Sequence, residues 1–165
     1  MDPVPGQLSP LFLTTSHLAI MTNERLVREA SGFFWGSRTE WFLVSNKHVF
    51  ARGTGPGATV QIRLHRTRED LTLNKTVELP LFDLSGHPKW RESGSEPEAD
   101  IAALPFDARE VTKDTVIRAF NNEGMAREEA VELGDQLLII GYPFGQYDRM
   151  FNLPIGKFFR TVEAS

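Results

Sequence analysis

Four histidines and no cysteine set the chemistry open to this 165-residue chain. Without Cys it holds no disulfide scaffold, no Cys-ligated zinc, no Fe–S cluster and no thiol nucleophile. Imidazole titrates near neutral pH and is the first candidate for moving protons. His17 falls in an early strand run, His65 on a basic strand and His87 in a polar loop, and each reads as a generic polar residue. His48 differs in its setting. The apolar run Trp41-Phe42-Leu43-Val44 passes through Ser45-Asn46-Lys47 to His48 and then meets the Gly53, Gly55, Gly57 cluster, which places an imidazole where the chain leaves a rigid strand. A lone His in such a place is structural by default. Asp100 is the second residue of interest. It opens the apolar run Ile101-Ala102-Ala103-Leu104 directly after a polar stretch, where an acid is ordinarily a loop residue or a cap. Turned inward, it would need a partner, and a His Nδ1–H is a suitable donor.

Short β-rich runs punctuated by Gly, Pro and polar clusters must position these residues, the spacing of an antiparallel barrel or sandwich. Strands are predicted near Ser16–Met21, Ala30–Trp35, Glu40–Ser45, Thr59–Arg66, Lys75–Pro80 and Asp100–Pro105, with a hairpin turn over Gly36-Ser37-Arg38-Thr39. In the fourth run Val60, Ile62 and Leu64 alternate with Gln61, Arg63 and His65, so the basic residues, with Arg66 and Arg68, are expected on a solvated edge. Ser85 to Ala99 lacks periodicity and reads as a long surface loop. Val111, Val116, Ile117 and Phe120 are spaced like a short amphipathic helix within a connector. Strand character returns at Gln136–Ile140 and again at Phe158–Val162.

Composition narrows the partners. The 18 Lys+Arg against 22 Asp+Glu give a net charge of −4, opposite to the basic footprint of phosphate-backbone binding, so nucleic acid is not an expected partner. No stretch approaches the ~18 apolar residues of a membrane span, and the N-terminus lacks a basic region ahead of its broken apolar run. No membrane association is expected, and the expected location is cytoplasmic. The glycine cluster at 53–57 lacks the Lys-Ser/Thr ending of a phosphate-binding loop and reads as a turn. No His-x-x-x-His pair or carboxylate cluster stands at ligand spacing, so neither a metal nor another cofactor is expected.

Four blocks in order carry a family resemblance: Ala30-Ser31-Gly32-Phe33-Phe34-Trp35, Leu43-Val44-Ser45-Asn46-Lys47-His48-Val49, Ala99-Asp100-Ile101-Ala102-Ala103-Leu104, and Gly134-Asp135-Gln136 through Gly141-Tyr142-Pro143-Phe144-Gly145. Together they resemble the trypsin-like (chymotrypsin-fold) serine peptidases, in the Cys-free bacterial form that includes the HtrA-like enzymes. The resemblance implies an all-β protein: a six-stranded antiparallel Greek-key barrel over residues 10–106, a connector with a short helix over 107–132, and over 133–165 the first strands of a second, incomplete barrel. It implies peptide-bond hydrolysis of a protein or peptide substrate. His48 matches the general base that takes the nucleophile's proton and returns it to the leaving amine, and Asp100 matches the buried carboxylate that holds Nδ1–H and stabilises the imidazolium.

The nucleophile departs from the family pattern. In the family it lies in a Gly-x-Ser-Gly type segment beyond the Gly-Tyr-Pro block, with the oxyanion donors, and this sequence contains no such segment. Ser165 has no following Gly, Ser31 and Ser45 fall in strands of the first barrel, and Ser93 and Ser95 fall in the loop. The expectation is the N-terminal part of a serine endopeptidase, inactive by itself, whose apolar faces await the remainder of its own second barrel. The alternative is a non-catalytic trypsin-like module used for binding or as a platform.

Overall fold

The computed structural model describes residues 9–37, 39–125, 132 and 134–160. After a 3-10 turn at Pro10–Leu13, three strands run as a meander: β1 (Thr15–Thr22), β2 (Arg25–Gly36) and β3 (Trp41–Ser45). The β1–β2 turn is tight because Asn23 and Glu24 both take positive φ, 50° and 63°, the twist that matches two right-twisted strands. A short helix α1 (Lys47–Phe50) leads to β4 (Thr59–His65), and β4 pairs with β1 rather than with β3. Next come β5 (Asn74–Pro80), the two-residue β6 (Arg91–Glu92), β7 (Ala102–Phe106) and helix α2 (Ala108–Thr112). All seven strands form one antiparallel sheet in the order β5-β4-β1-β2-β3-β7-β6. A separate antiparallel pair, β8 (Gln136–Gly141) and β9 (Ile155–Arg160), follows.

The fold is mainly β, as expected, and a strand overlaps each of the six expected runs, although β2 begins five residues earlier, at Arg25. Val60, Ile62 and Leu64 of β4 point inward and pack in one core with Leu18, Ile20, Phe34, Leu43 and Leu104. Burying each such side chain contributes roughly 1.5–3 kcal/mol. The sheet curls over this core. Lys75 to Leu79 of β5 and Pro105 and Phe106 of β7 line a common cavity, and Lys75 pairs with Asp114 beyond α2 at 2.7 Å. The end strands β5 and β6 do not pair with each other, so no hydrogen-bonded ring closes among the described residues.

Three expectations are corrected. The loop Ser85–Ala99 contains β6, whose Arg91 and Glu92 pair with Ala103 and Ala102 and so add a seventh strand. Val116 to Phe120 is not helical: α2 ends at Thr112, and the backbone beyond it bonds to other elements. Val116 N donates to His65 O (2.7 Å), Arg118 N to Leu13 O (3.0 Å) and Phe120 N to Phe34 O (2.9 Å). His65, expected in solvent, is only 4% exposed, because Phe151 crosses over the end of β4 and its carbonyl accepts a hydrogen bond from His65 Nε2 at 2.7 Å.

The glycine cluster after α1 is a turn with a steric demand. A Cβ on Gly53 would lie 2.7 Å from Leu81 Cδ1 and 3.0 Å from Ala58 Cβ, so only glycine lets the chain pass this close to the core.

Candidate functional site

Topology brings His48 and Asp100 together. β3 and β7 pair with Ser45 opposite Ala102, so the residues just past the end of β3 meet those just before the start of β7. The end of β3 is pinned to β2, where Ser45 Oγ donates to Ser31 O at 2.8 Å. Helix α1 then makes a single turn, with Val49 and Phe50 buried in the core. Their burial turns His48 toward solvent.

His48 Nδ1 lies 2.5 Å from Asp100 Oδ2, and His48 N donates to Asp100 Oδ1 at 3.0 Å. The carboxylate therefore grips one residue twice, through its backbone and its ring. Asn46 Nδ2 adds bonds to Asp100 Oδ2 (3.2 Å) and Asp100 O (3.0 Å). These donors, the His48 backbone N–H foremost, then the imidazole and last the Asn46 amide, hold the Asp100 carboxyl below its ordinary pKa. An ionised carboxylate only accepts, so Nδ1 carries the proton in the neutral ring and Nε2 keeps its lone pair. No described residue bonds Nε2. The resemblance implies a buried carboxylate, but Asp100 and His48 are half-exposed, 47% and 50% at their side chains.

In front of His48 opens a cleft of about 810 Å³, lined by Leu26, Glu29, Asn46, Tyr142 and Phe144 among others. Phe144 stands 98% exposed at its mouth with φ 54°, a left-handed conformation costly for an aromatic residue. The far wall is fixed to the near one: Tyr142 N donates to Ser31 Oγ at 2.7 Å, and a Cβ on Gly141 would lie 3.0 Å from that same oxygen.

The other histidines stay apart from this pair. His17 is buried beside Glu29 (Nε2 to Oε1, 3.1 Å) and stacks on Tyr147 with ring centroids 4.9 Å apart. Burial lowers its pKa, Glu29 opposes that, and Arg149 adds a smaller lowering. His87 lies exposed, 3.6 Å from Asp83. Among the serines considered as nucleophile, Ser31 and Ser45 are engaged as described, Ser93 and Ser95 face each other at 3.3 Å, and Ser165 lies outside the described residues. None bonds His48. Among the described residues no group of three or more His, Asp or Glu is placed to hold a metal ion, and no helix is long and apolar enough to cross a membrane.

Two contributors escaped the sequence reading. Asn46 was only a polar residue between strand and histidine, and Lys47, which reaches Pro97 O and Glu92 Oε2 at 3.2 Å each, ties α1 to the segment before Asp100. The only available signal was their place beside His48. No family model matches the chain, and neither the curated proteins nor the solved structures contain a match to it.

Proposed function

We propose that this protein is a serine endopeptidase of trypsin-like type, in which His48 is the general base, Asp100 orients it, and the attacking hydroxyl and oxyanion donors lie outside these 165 residues. The observation that carries the reading is the 2.5 Å contact of His48 Nδ1 with Asp100 Oδ2, with no described residue bonded to Nε2 and His48 lining the cleft. Acyl transfer needs that arrangement: one ring nitrogen held as a donor, so that the other can take the nucleophile's proton and hand it to the leaving amine. The strand order β4-β1-β2-β3 is that of a Greek key, which supports a trypsin-like first barrel. Leu137, Leu138 and Ile139 of β8 and Phe158 and Phe159 of β9 are exposed, which fits further strands of a second barrel packing on them. The substrate on this reading is a protein or peptide chain.

The test uses the protein expressed from its complete reading frame and a serine-directed fluorophosphonate. Labelling should occur, should be lost in His48→Ala, and should fall by about four orders of magnitude in rate in Asp100→Asn. Labelling that survives His48→Ala removes His48 from the role of base. A folded wild-type protein that never labels leaves the non-catalytic module as the better account.

A further inference from the structure

Asn46 occupies the N-cap position of α1, where an Asn side chain ordinarily accepts from its own helix's N–H groups. Here it makes no such bond. Asp100, 54 residues along the chain from Asn46, takes over the cap by accepting from His48 N, and the freed Asn46 amide crosses to Asp100 instead. The two side chains have exchanged roles. Asn46 Nδ2 bridges the backbone carbonyl and the Oδ2 atom of Asp100, so one NH2 group fixes both where the residue sits and how its carboxylate is turned. The oxygen it holds is the one that meets His48 Nδ1. With Asp100 half-exposed, no packing wall does this work.

We propose that Asn46 is a positioning residue for the His48–Asp100 pair: its amide holds Asp100 in the rotamer that keeps the His48 proton on Nδ1. The proposal rests on the reading of His48 as base, and it adds the group that keeps that base in the correct tautomer. Lys47 supplies the internal comparison. It grips the same segment at Pro97 O and Glu92 but does not touch Asp100, so loosening the segment and releasing the carboxylate can be separated.

The experiment is nitrogen-15 and proton NMR of the imidazole of His48 in this protein, with Asn46→Ser, Asn46→Ala and Lys47→Met. Serine keeps a good cap-forming residue at the start of α1 but cannot reach Asp100, so it serves if the alanine variant folds poorly. The wild type should show the Nδ1–H tautomer with a low-field, slowly exchanging ring proton. Asn46→Ser should exchange that proton about tenfold faster or more and populate the other tautomer, with the backbone amide spectrum otherwise retained. Lys47→Met should leave tautomer and exchange unchanged. An unaltered ring proton in both Asn46 variants overturns the proposal, and so does an equal effect from Lys47→Met. The ring spectrum is read without turnover, so absence of fluorophosphonate labelling counts against the peptidase reading alone.

Discussion

Asn152, buried, donates its Nδ2–H to the carbonyl oxygen of Arg63 at 2.7 Å, 89 residues away in sequence. Pairing of β1 with β4 stops at Leu18–Ile62, so the Arg63 carbonyl just beyond that point has no partner in β1. The loop from Arg149 to Asn152 fills the gap: Arg149 O accepts from the Arg63 guanidinium at 3.2 Å and Phe151 O from His65. Asn152→Ala should destabilise the fold by about 1–3 kcal/mol, because it leaves the part-buried Arg63 carbonyl without its donor. Asn152→Gly should cost less, since φ is 51° there and glycine relieves the backbone. Urea midpoints of the two variants check the order; a glycine variant less stable than the alanine variant would contradict it.

His17 predicts a pH dependence. Its pKa is lowered in the fold by burial, so between the folded value and the ordinary ~6.5 the unfolded chain binds more protons. Stability should rise with pH through that window and be lost as pH falls below about 6.5. His17→Gln should flatten this part of the profile. Denaturant titrations at several pH values between 5 and 8, roughly the range in which histidine responds, measure it.

Gly53 is predicted to be intolerant of any side chain. Gly53→Ala drives a methyl group against Leu81 and Ala58 in the core and should cost about 1–3 kcal/mol, as overpacking does. Gly55 has open space around its Cβ position but φ of 77°, so Gly55→Ala should be destabilising through backbone strain and not through contact. Pairing each variant with Leu81→Ala separates the causes: the double change should partly rescue Gly53→Ala and do nothing for Gly55→Ala.

Asp100 should shape the acid limb. Its carboxyl is held below the ordinary range by the His48 backbone N–H first, so its contribution to stability is full above the unfolded carboxyl pKa and is lost as pH falls through the folded one. Asp100→Asn should therefore lower stability at neutral pH and narrow the difference from wild type in acid. Thermal melts at pH 7 and near pH 3, about a unit below the ordinary carboxyl value, compare the two.

Strands with an apolar face were legible because alternation is a strong physical signal, as Val60, Ile62 and Leu64 show. Arg91–Glu92 carried no such signal, because its pairing rests on backbone bonds to Ala102 and Ala103. β2 begins at Arg25, five residues before the expected run, through a stretch where Leu26 and Val27 are exposed and give no alternation. Periodicity misled at Val116 to Phe120, where unpaired carbonyls of His65, Leu13 and Phe34 outcompete a helix of low propensity. At the site, the residue types of His48 and Asp100 were readable. Their distance followed from the β3–β7 register, which no local pattern encodes.

The bonds between the β8–β9 region and the larger sheet have a kinetic consequence. Tyr142 to Ser31 closes 111 residues, Asn152 to Arg63 closes 89, and the Arg149 and Phe151 contacts each close 86. Loop-closure entropy for such spans must be met before any contact rewards it, whereas β1 finds β2 across a two-residue turn. A two-stranded hairpin is at best marginal by itself in water, so β8 and β9 have little to hold them until the larger sheet exists. During refolding the wall of the cleft opposite His48 should therefore assemble last, and the His48–Asp100 contact should form before there is a cleft for it to face.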